Sequence, residues 1–530
     1  MPYHFRKQCV VAAAAIGLFL LAAASHAQAP GKTLRVVPHA DLKVLDPLVS
    51  SAYITRNFAH MVYDTLFGLD TAGKPQPQMI DTWSKSADGL KWTFTLRPGL
   101  RFSDGSDVTA SDAVASLKRW AARDAFGIEM TRVASAEWAE VDSRTFVLQL
   151  KAPFGAVLDG LSKASVFPPF VMPRRLAILP PAAGNREVVG SGPYVFKRDE
   201  WAPGNKVVFV RNPYYVGRQE PANGFSGNRR GAIDRVEWIY IPDSFTAVAA
   251  LRAGEVDMIE SVELDQLPGL RSQPGIRLVA AGETQAVIVM NHLHPPFNDP
   301  RVRQALLQAV DQREFMMAVG VPPDRRMARC RSYFICGTPN ETSAGTGRWG
   351  EPDIQKARKM LADAGYRGEK VVVLAPSDLR EVNALAQMTA KTLRSIGMEV
   401  ELQTADWGSL VARRSRKEAP SAGGWNINVT FVGAFDSGSP INNVVLAAAC
   451  GNNYSGWPCD PQLDALRLKW LQAGTPESRK FALDAFHARA MESVPYVSAG
   501  QFSRVSALGR SVQGGEKLYG GVPMAWVLDK

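Results

Sequence analysis

Apolar and polar side chains alternate most regularly across residues 91–97. Trp92, Phe94 and Leu96 interleave with Lys91, Thr93, Thr95 and Arg97, and this period of two predicts a strand with one buried face. Pro98-Gly99 turns the chain, residues 100–102 continue the strand, and Asp104-Gly105 supplies a second turn. Thr109 with Asp112 three positions later fits a helix N-cap, and 110–120 follows with helical spacing. Upstream, residues 33–37 (TLRVV) predict a strand, Asp46-Pro47 a break, and 54–66 a helix. Downstream, 146–150 predicts another strand.

From Gly192-Pro193-Tyr194 onward the pattern becomes repetitive. Residues 194–197 and 207–210 predict a hairpin turned at Pro203-Gly204-Asn205. Strand 233–241, a helix at 244–253 stopped by Gly254, and strand 256–259 come next. The order recurs as strand 287–291, helices 300–310 and 354–364, strand 371–375, helix 382–396 ending at Gly397, and strand 399–404. Strands alternating with helices predict an α/β protein with helices packed on sheets. A chain of 530 residues exceeds what one compact core supports, so two or three substructures are expected.

The first 27 residues carry a different pattern. Arg6 and Lys7 precede an almost wholly apolar run at 10–24, and Ser25-His26-Ala27 offers small residues for cleavage near Ala27. This is the layout of a secretory signal, and the run is short for a membrane span. Export across the inner membrane to the periplasm is therefore expected. Cys9 precedes the apolar run instead of following it, which argues against a lipid anchor. Processing removes Arg6 and Lys7 and no acid, so the formal charge of +10 becomes +8. The basic residues are scattered; the one dense run, Arg413-Arg414-Ser415-Arg416-Lys417, reads as a solvated helix face, and no nucleic-acid motif accompanies it. Cys330, Cys336, Cys450 and Cys459 remain. In an oxidising compartment their spacings suggest the disulfides Cys330–Cys336 and Cys450–Cys459, with a four-cysteine zinc site as the alternative.

Two catalytic spacings are absent from the sequence: it has no G-x-S-x-G and no H-E-x-x-H. Gly68 to Lys74 fits the start of a phosphate loop, but Pro75 stands where a Ser or Thr must hold magnesium and obstructs the helix that should follow. A turn between short strands is expected instead. His292-x-His294 has few partners for a metal site, and no cofactor is expected. Trp407, Trp425 and Trp457 could line a pocket or fill core.

The stretch Trp83–Asp112, with Asp88-Gly89, Trp92, Phe94, Leu96, Pro98-Gly99, Phe102, Asp104-Gly105, Thr109 and Asp112, resembles the signature of the family 5 extracellular solute-binding proteins. Further similarities follow in the same order: Gly190-Ser191-Gly192-Pro193-Tyr194, Arg211-Asn212-Pro213-Tyr214-Tyr215, Ala250 to Asp257, and Asn298 to Leu306. The family comprises the dipeptide, oligopeptide and nickel receptors of ATP-driven importers. Membership implies a type II periplasmic-binding-protein fold, with two lobes, a hinge and an extra domain inserted in the first lobe. Mapped here, lobe I takes 28–60, 190–275 and 500–530, the inserted domain 61–189, and lobe II 276–499.

The resemblance also implies the ligand site. Peptide-binding relatives hold an extended peptide through main-chain bonds, which is strand addition, and an aspartate of the second lobe holds the free amine. The matching stretch here is Phe431-Val432-Gly433-Ala434-Phe435-Asp436-Ser437-Gly438-Ser439-Pro440. Asp436 falls on the amine position, where a charge-assisted bond is worth about 1.5–3 kcal/mol. Val432, Gly433 and Ala434 fall on the strand beside the ligand. Phe435, Ser437 and Ser439 depart from the family pattern, and Asp436 before Ser437-Gly438 also fits an ordinary turn. Ser51, Ala52 and Tyr53 match a segment that presents backbone to the ligand, and equally an ordinary loop into a helix. Trp407 and Trp425 complete the candidate wall. Cys450 and Cys459 lie where some members place a disulfide.

The expected function is that of a monomeric periplasmic receptor, not an enzyme, which delivers a di- or oligopeptide or peptide-like solute to an inner-membrane ABC permease. The alternative within the family is a nickel chelate or other small organic solute, with His39 or His60 near the cleft; outside it stands a secreted hydrolase.

Overall fold

The computed structural model describes residues 31–180, 187–450, 454–516, 518, 522 and 524–530. The signal-segment reading for 1–27 lies outside the described residues.

A ten-stranded mixed sheet organises the chain. Its order is Tyr194–Phe196, Lys206–Arg211, Arg235–Ile239, Thr33–Val37, Met258–Ile259, Tyr496–Leu508, Arg277–Met290, Ile427–Gly433, Val371–Pro376 and Val400–Ala405. Thr33–Val37 runs parallel to both of its neighbours. The two long central strands, of 14 and 13 residues, are antiparallel and join the two ends of the sheet. Their register shifts between Ala280 and Glu283 and again between Ala286 and Val287. Gly282 sits inside the first shift at φ 100°, a conformation that side-chain-bearing residues resist. A bulge of this kind bends the sheet, and the bend falls beside the cavity described below.

A second, four-stranded antiparallel sheet pairs Ile80–Lys85, Lys91–Leu96, Thr145–Gln149 and Glu137–Glu140 in that order. Trp92, Phe94 and Leu96 turn into its core, as their alternation predicts. Helix Ala110–Ala121 closes over it from a full capping box: the Thr109 side chain takes the Asp112 N–H while the Asp112 carboxylate takes that of Thr109.

Several boundaries differ from the sequence-based expectation. Residues 100–102 are not a strand, because Phe102 N–H already bonds the Ser106 carbonyl across the Asp104-Gly105 turn and leaves only an isolated bridge, Arg101 to Asp107. The helix expected over 54–66 is Tyr53–Val62; Asp64–Thr65 leaves it to pair with Phe170–Val171. Gly68 to Pro75 is a hairpin turn between Phe67–Leu69 and Pro75–Pro77, so the phosphate-loop reading is excluded. Both disulfides suggested by spacing are formed, Cys330–Cys336 and Cys450–Cys459.

Candidate ligand-binding site

A cavity of about 290 Å³ opens at the bend of the large sheet. Its wall draws on separate elements: Tyr53 and Arg56 from helix Tyr53–Val62, Glu260 just after strand Met258–Ile259, Ala281 to Thr284 from the bulge, Phe431 and Gly433 to Asp436 from the end of Ile427–Gly433 and the turn after it, and Arg504 from Tyr496–Leu508.

Asp436 is the acidic residue at the end of this wall. It lies in a tight turn, with its N–H on the Gly433 carbonyl and the Ser437 hydroxyl on the same oxygen, both at 3.0 Å. The turn buries the carboxylate, leaving 8% of the residue exposed. Tyr53, 383 positions away in sequence, donates its hydroxyl to Asp436 Oδ2. Burial, reinforced by the Asp436 charge, pushes the Tyr53 hydroxyl far above its ordinary pKa, so it stays a proton donor. The other oxygen, Asp436 Oδ1, is buried and has no hydrogen-bond partner among the described residues. A buried acceptor without a donor is costly, and a donor from a bound molecule relieves that cost.

The strand leading to Asp436 adds a second feature. Along one edge, Ile427–Gly433 is paired throughout with Arg277–Met290, from Met290↔Ile427 to Thr284↔Gly433. Along the other it pairs only at Val373↔Ile427. Past that point the edge has no strand paired to it among the described residues; at its end Gly433 already gives its N–H to the Tyr53 hydroxyl (3.4 Å) and its carbonyl to the Asp436 turn, so residues 428–432 are the stretch whose edge stands open to another strand.

Opposite, the wall is a closed polar network. His39 gives Glu260 both its N–H (2.9 Å) and Nδ1 (2.8 Å), and Asn57 Nδ2 adds a bond of 2.7 Å. Arg56 stacks over the Tyr53 ring at 4.4 Å and donates to Asn57 and Ser165. Glu260 therefore has its acceptors taken by the protein itself. Arg504 donates Nη1 to Glu381 at 2.8 Å.

Of the residues picked out from sequence, Tyr53, Gly433, Ala434, Phe435 and Asp436 line the cavity. Val432 faces away on the same strand, opposite Gln285. Ser51 and Ala52 are exposed at the start of the helix and outside the wall. Trp425 lies outside the cavity wall, fully buried, with Nε1 on the Arg414 carbonyl and its ring 5.9 Å from Trp457. Trp407 also lies outside that wall, half-buried under Arg414 at 5.9 Å at the start of helix Trp407–Arg413. His39 lines the cavity, whereas His60 is buried with Nε2 at 2.9 Å from the Ala164 carbonyl. His292 and His294 face separate carbonyls, those of Pro495 and Lys417, and burial holds the His292 pKa down to about 3. No cluster of metal-ligating side chains occurs among the described residues. Arg56, Glu260, Phe431 and Arg504 carried no local signal; they meet only because the crossing strands and the first helix converge here.

The description of the bacterial extracellular solute-binding proteins, family 5, matches residues 74–454. The chain belongs to this family. It is 35% identical over 532 residues to the probable peptide ABC transporter periplasmic-binding protein y4tO of Sinorhizobium fredii, covering 99% of this chain and 98% of that protein. Among solved structures, the binding protein AgaA of A. tumefaciens R10, in complex with agropinic acid, superposes with a TM-score of 0.77 at 23% identity, covering 94% of this chain and 98% of that one. A dipeptide-binding protein from Pseudoalteromonas sp. SM9913, in complex with Met-Leu, gives a TM-score of 0.75 at 21% identity, covering 94% and 100%. The fold is accordingly the type II periplasmic-binding-protein fold expected from the sequence. No helix among the described residues is long and apolar enough to cross a membrane.

Proposed function

We propose that this chain is the exported receptor of an ATP-driven importer, holding a short peptide or peptide-like solute between two lobes and passing it unaltered to an inner-membrane permease. The observation that carries the reading is the buried, unpartnered Asp436 Oδ1 beside an open strand edge. A carboxylate there suits a ligand ammonium group, and the edge suits an extended main chain laid alongside it. Family membership and the printed role of the Sinorhizobium relative support the same reading. The volume, about 290 Å³, lies at the low end of small-molecule sites and favours a solute of dipeptide size.

In this account lobe I comprises 28–60, 190–275 and 500–530, lobe II 276–499, and 61–189 is inserted. Tyr53 and Asp436 then belong to opposite lobes, and their bond is a strut across the cleft. Residues 1–27 direct export to the periplasm, and the mature chain acts as a monomer. It is a binding protein without catalysis, so its solute returns with unchanged mass.

The test is native mass spectrometry of protein purified from its host without denaturation. A one-to-one complex is expected, with a released mass that fits a small solute bearing a free amine. A solute without any cationic group, or a covalent adduct, contradicts the proposal.

A further inference from the structure

The cavity at Asp436 adjoins a second one of about 450 Å³. Ser261, Phe431 and Arg504 line both, so these residues form the wall between them. The Arg504 guanidinium is held there from three elements. Its Cζ lies 5.2 Å from the ring centre of Phe431 on the edge strand and 4.9 Å from that of Phe502 on its own strand, two rings that themselves meet edge to face at 5.7 Å. Its Nη1 bonds Glu381, in the first turn of helix Arg380–Ser395, at 2.8 Å. The two side chains are only 25% and 19% exposed, unlike the solvated pairs that contribute little. A cation packed against two aromatic rings and tied to a carboxylate has few rotamers open to it.

We propose that the Arg504–Glu381 pair is a partition that sets the length of the bound solute. The inference rests on the receptor reading above and deepens it by naming what limits ligand size. With the pair made, a solute anchored at Asp436 is confined to the smaller cavity. With the partition removed, the same solute class gains the second cavity, whose lining sets Leu264, Val319 and Val382 beside the charged Glu263, Asp265 and Arg380. A longer peptide can then bury an additional side chain there, which favours it by about tenfold or more.

The experiment has two arms. In the first, wild type, Arg504→Ala and Glu381→Ala are each offered an equimolar mixture of di-, tri- and tetrapeptides, free and C-terminally amidated, and bound species are weighed by native mass spectrometry. Wild type is expected to retain dipeptides; both variants should move the tetrapeptide-to-dipeptide ratio upward by about tenfold. The shift should be the same for amidated peptides, which separates a removed wall from a lost contact between Arg504 and a carboxylate. An unchanged ratio, or a shift confined to free carboxylates, overturns the partition. Wild type retaining no peptide of any length counts against the receptor reading for peptides. The second arm needs no ligand: a crystal structure of Arg504→Ala should show one continuous cavity, and two cavities still separated overturn the proposal.

Discussion

Asp436→Asn is expected to weaken binding of peptides with a free N-terminus by roughly 10- to 150-fold, the equivalent of about 1.5–3 kcal/mol for a hydrogen bond to a charged group. The same peptides acetylated at the N-terminus, which carry no ammonium, should bind wild type and variant within about twofold of each other. The substitution suits the question because asparagine keeps an oxygen that can accept from the Tyr53 hydroxyl. The contact between helix Tyr53–Val62 and the Gly433 to Asp436 turn therefore survives while the charge is removed. Titration calorimetry with paired free and acetylated peptides provides the readout. Equal losses for both forms would mean that Asp436 acts only as a turn residue.

The largest expected effect on stability lies at Asp64. Its carboxylate receives Arg229 Nη1 at 3.0 Å, the Tyr215 hydroxyl and Gln78 Nε2 each at 3.1 Å, and the Thr65 N–H at 2.9 Å. Arg229 is fully buried, lies over the Trp526 ring at 4.2 Å, and also donates to the His60 carbonyl. Arg229 thus links the end of the first helix, strand Asp64–Thr65 and the C-terminal segment. Asp64→Ala strands a buried cation, a change that costs about 3–5 kcal/mol. For a unit of this size melting cooperatively, with about 2.1 cal/mol/K of unfolding entropy per residue, that is a fall of about 3–5 °C in Tm. Replacing both partners, Asp64→Leu with Arg229→Met, should recover most of the loss, since an apolar pair of similar volume leaves no charge behind. Scanning calorimetry of the two variants checks this; an Asp64→Ala protein that melts with wild type contradicts it.

Local chemistry explains which parts of the fold were legible. Lys91–Leu96 has one wet face and one dry face, so its pattern shows; Thr109 with Asp112 is a cap that needs no tertiary contact to be recognised. Arg277–Met290 was legible only near its end, because buried positions dominate its second half and Gly282 interrupts the alternation. Helices Pro461–Gln472 and Pro476–Ser493 went unread, although Asp460-Pro461 and Thr475-Pro476 are N-cap and first-turn signals. At the site, Asp436 entered through resemblance alone, since Asp before Ser-Gly is ordinary turn chemistry. Tyr53 was expected to offer backbone, whereas its hydroxyl makes the contact. For Trp407 and Trp425 the sequence left pocket wall and core packing open, because a large aromatic near a ligand strand in sequence serves either role.

The account depends on two lobes that close. Periplasmic binding proteins as a class close by hinge motion around their ligands, and on the receptor reading proposed above the two crossing strands, with their register shift at Gly282, are where this chain would bend. The most direct measurement is solution X-ray scattering of the mature protein, first stripped of solute by reversible unfolding and then saturated with the solute identified by mass. The ligand-free particle should contract on saturation by on the order of 1 Å in radius of gyration, toward the roughly 24 Å of a compact chain of this length, and the recovered solute should be chemically intact. Superimposable profiles with and without solute, or a solute returned with an altered mass, would contradict it.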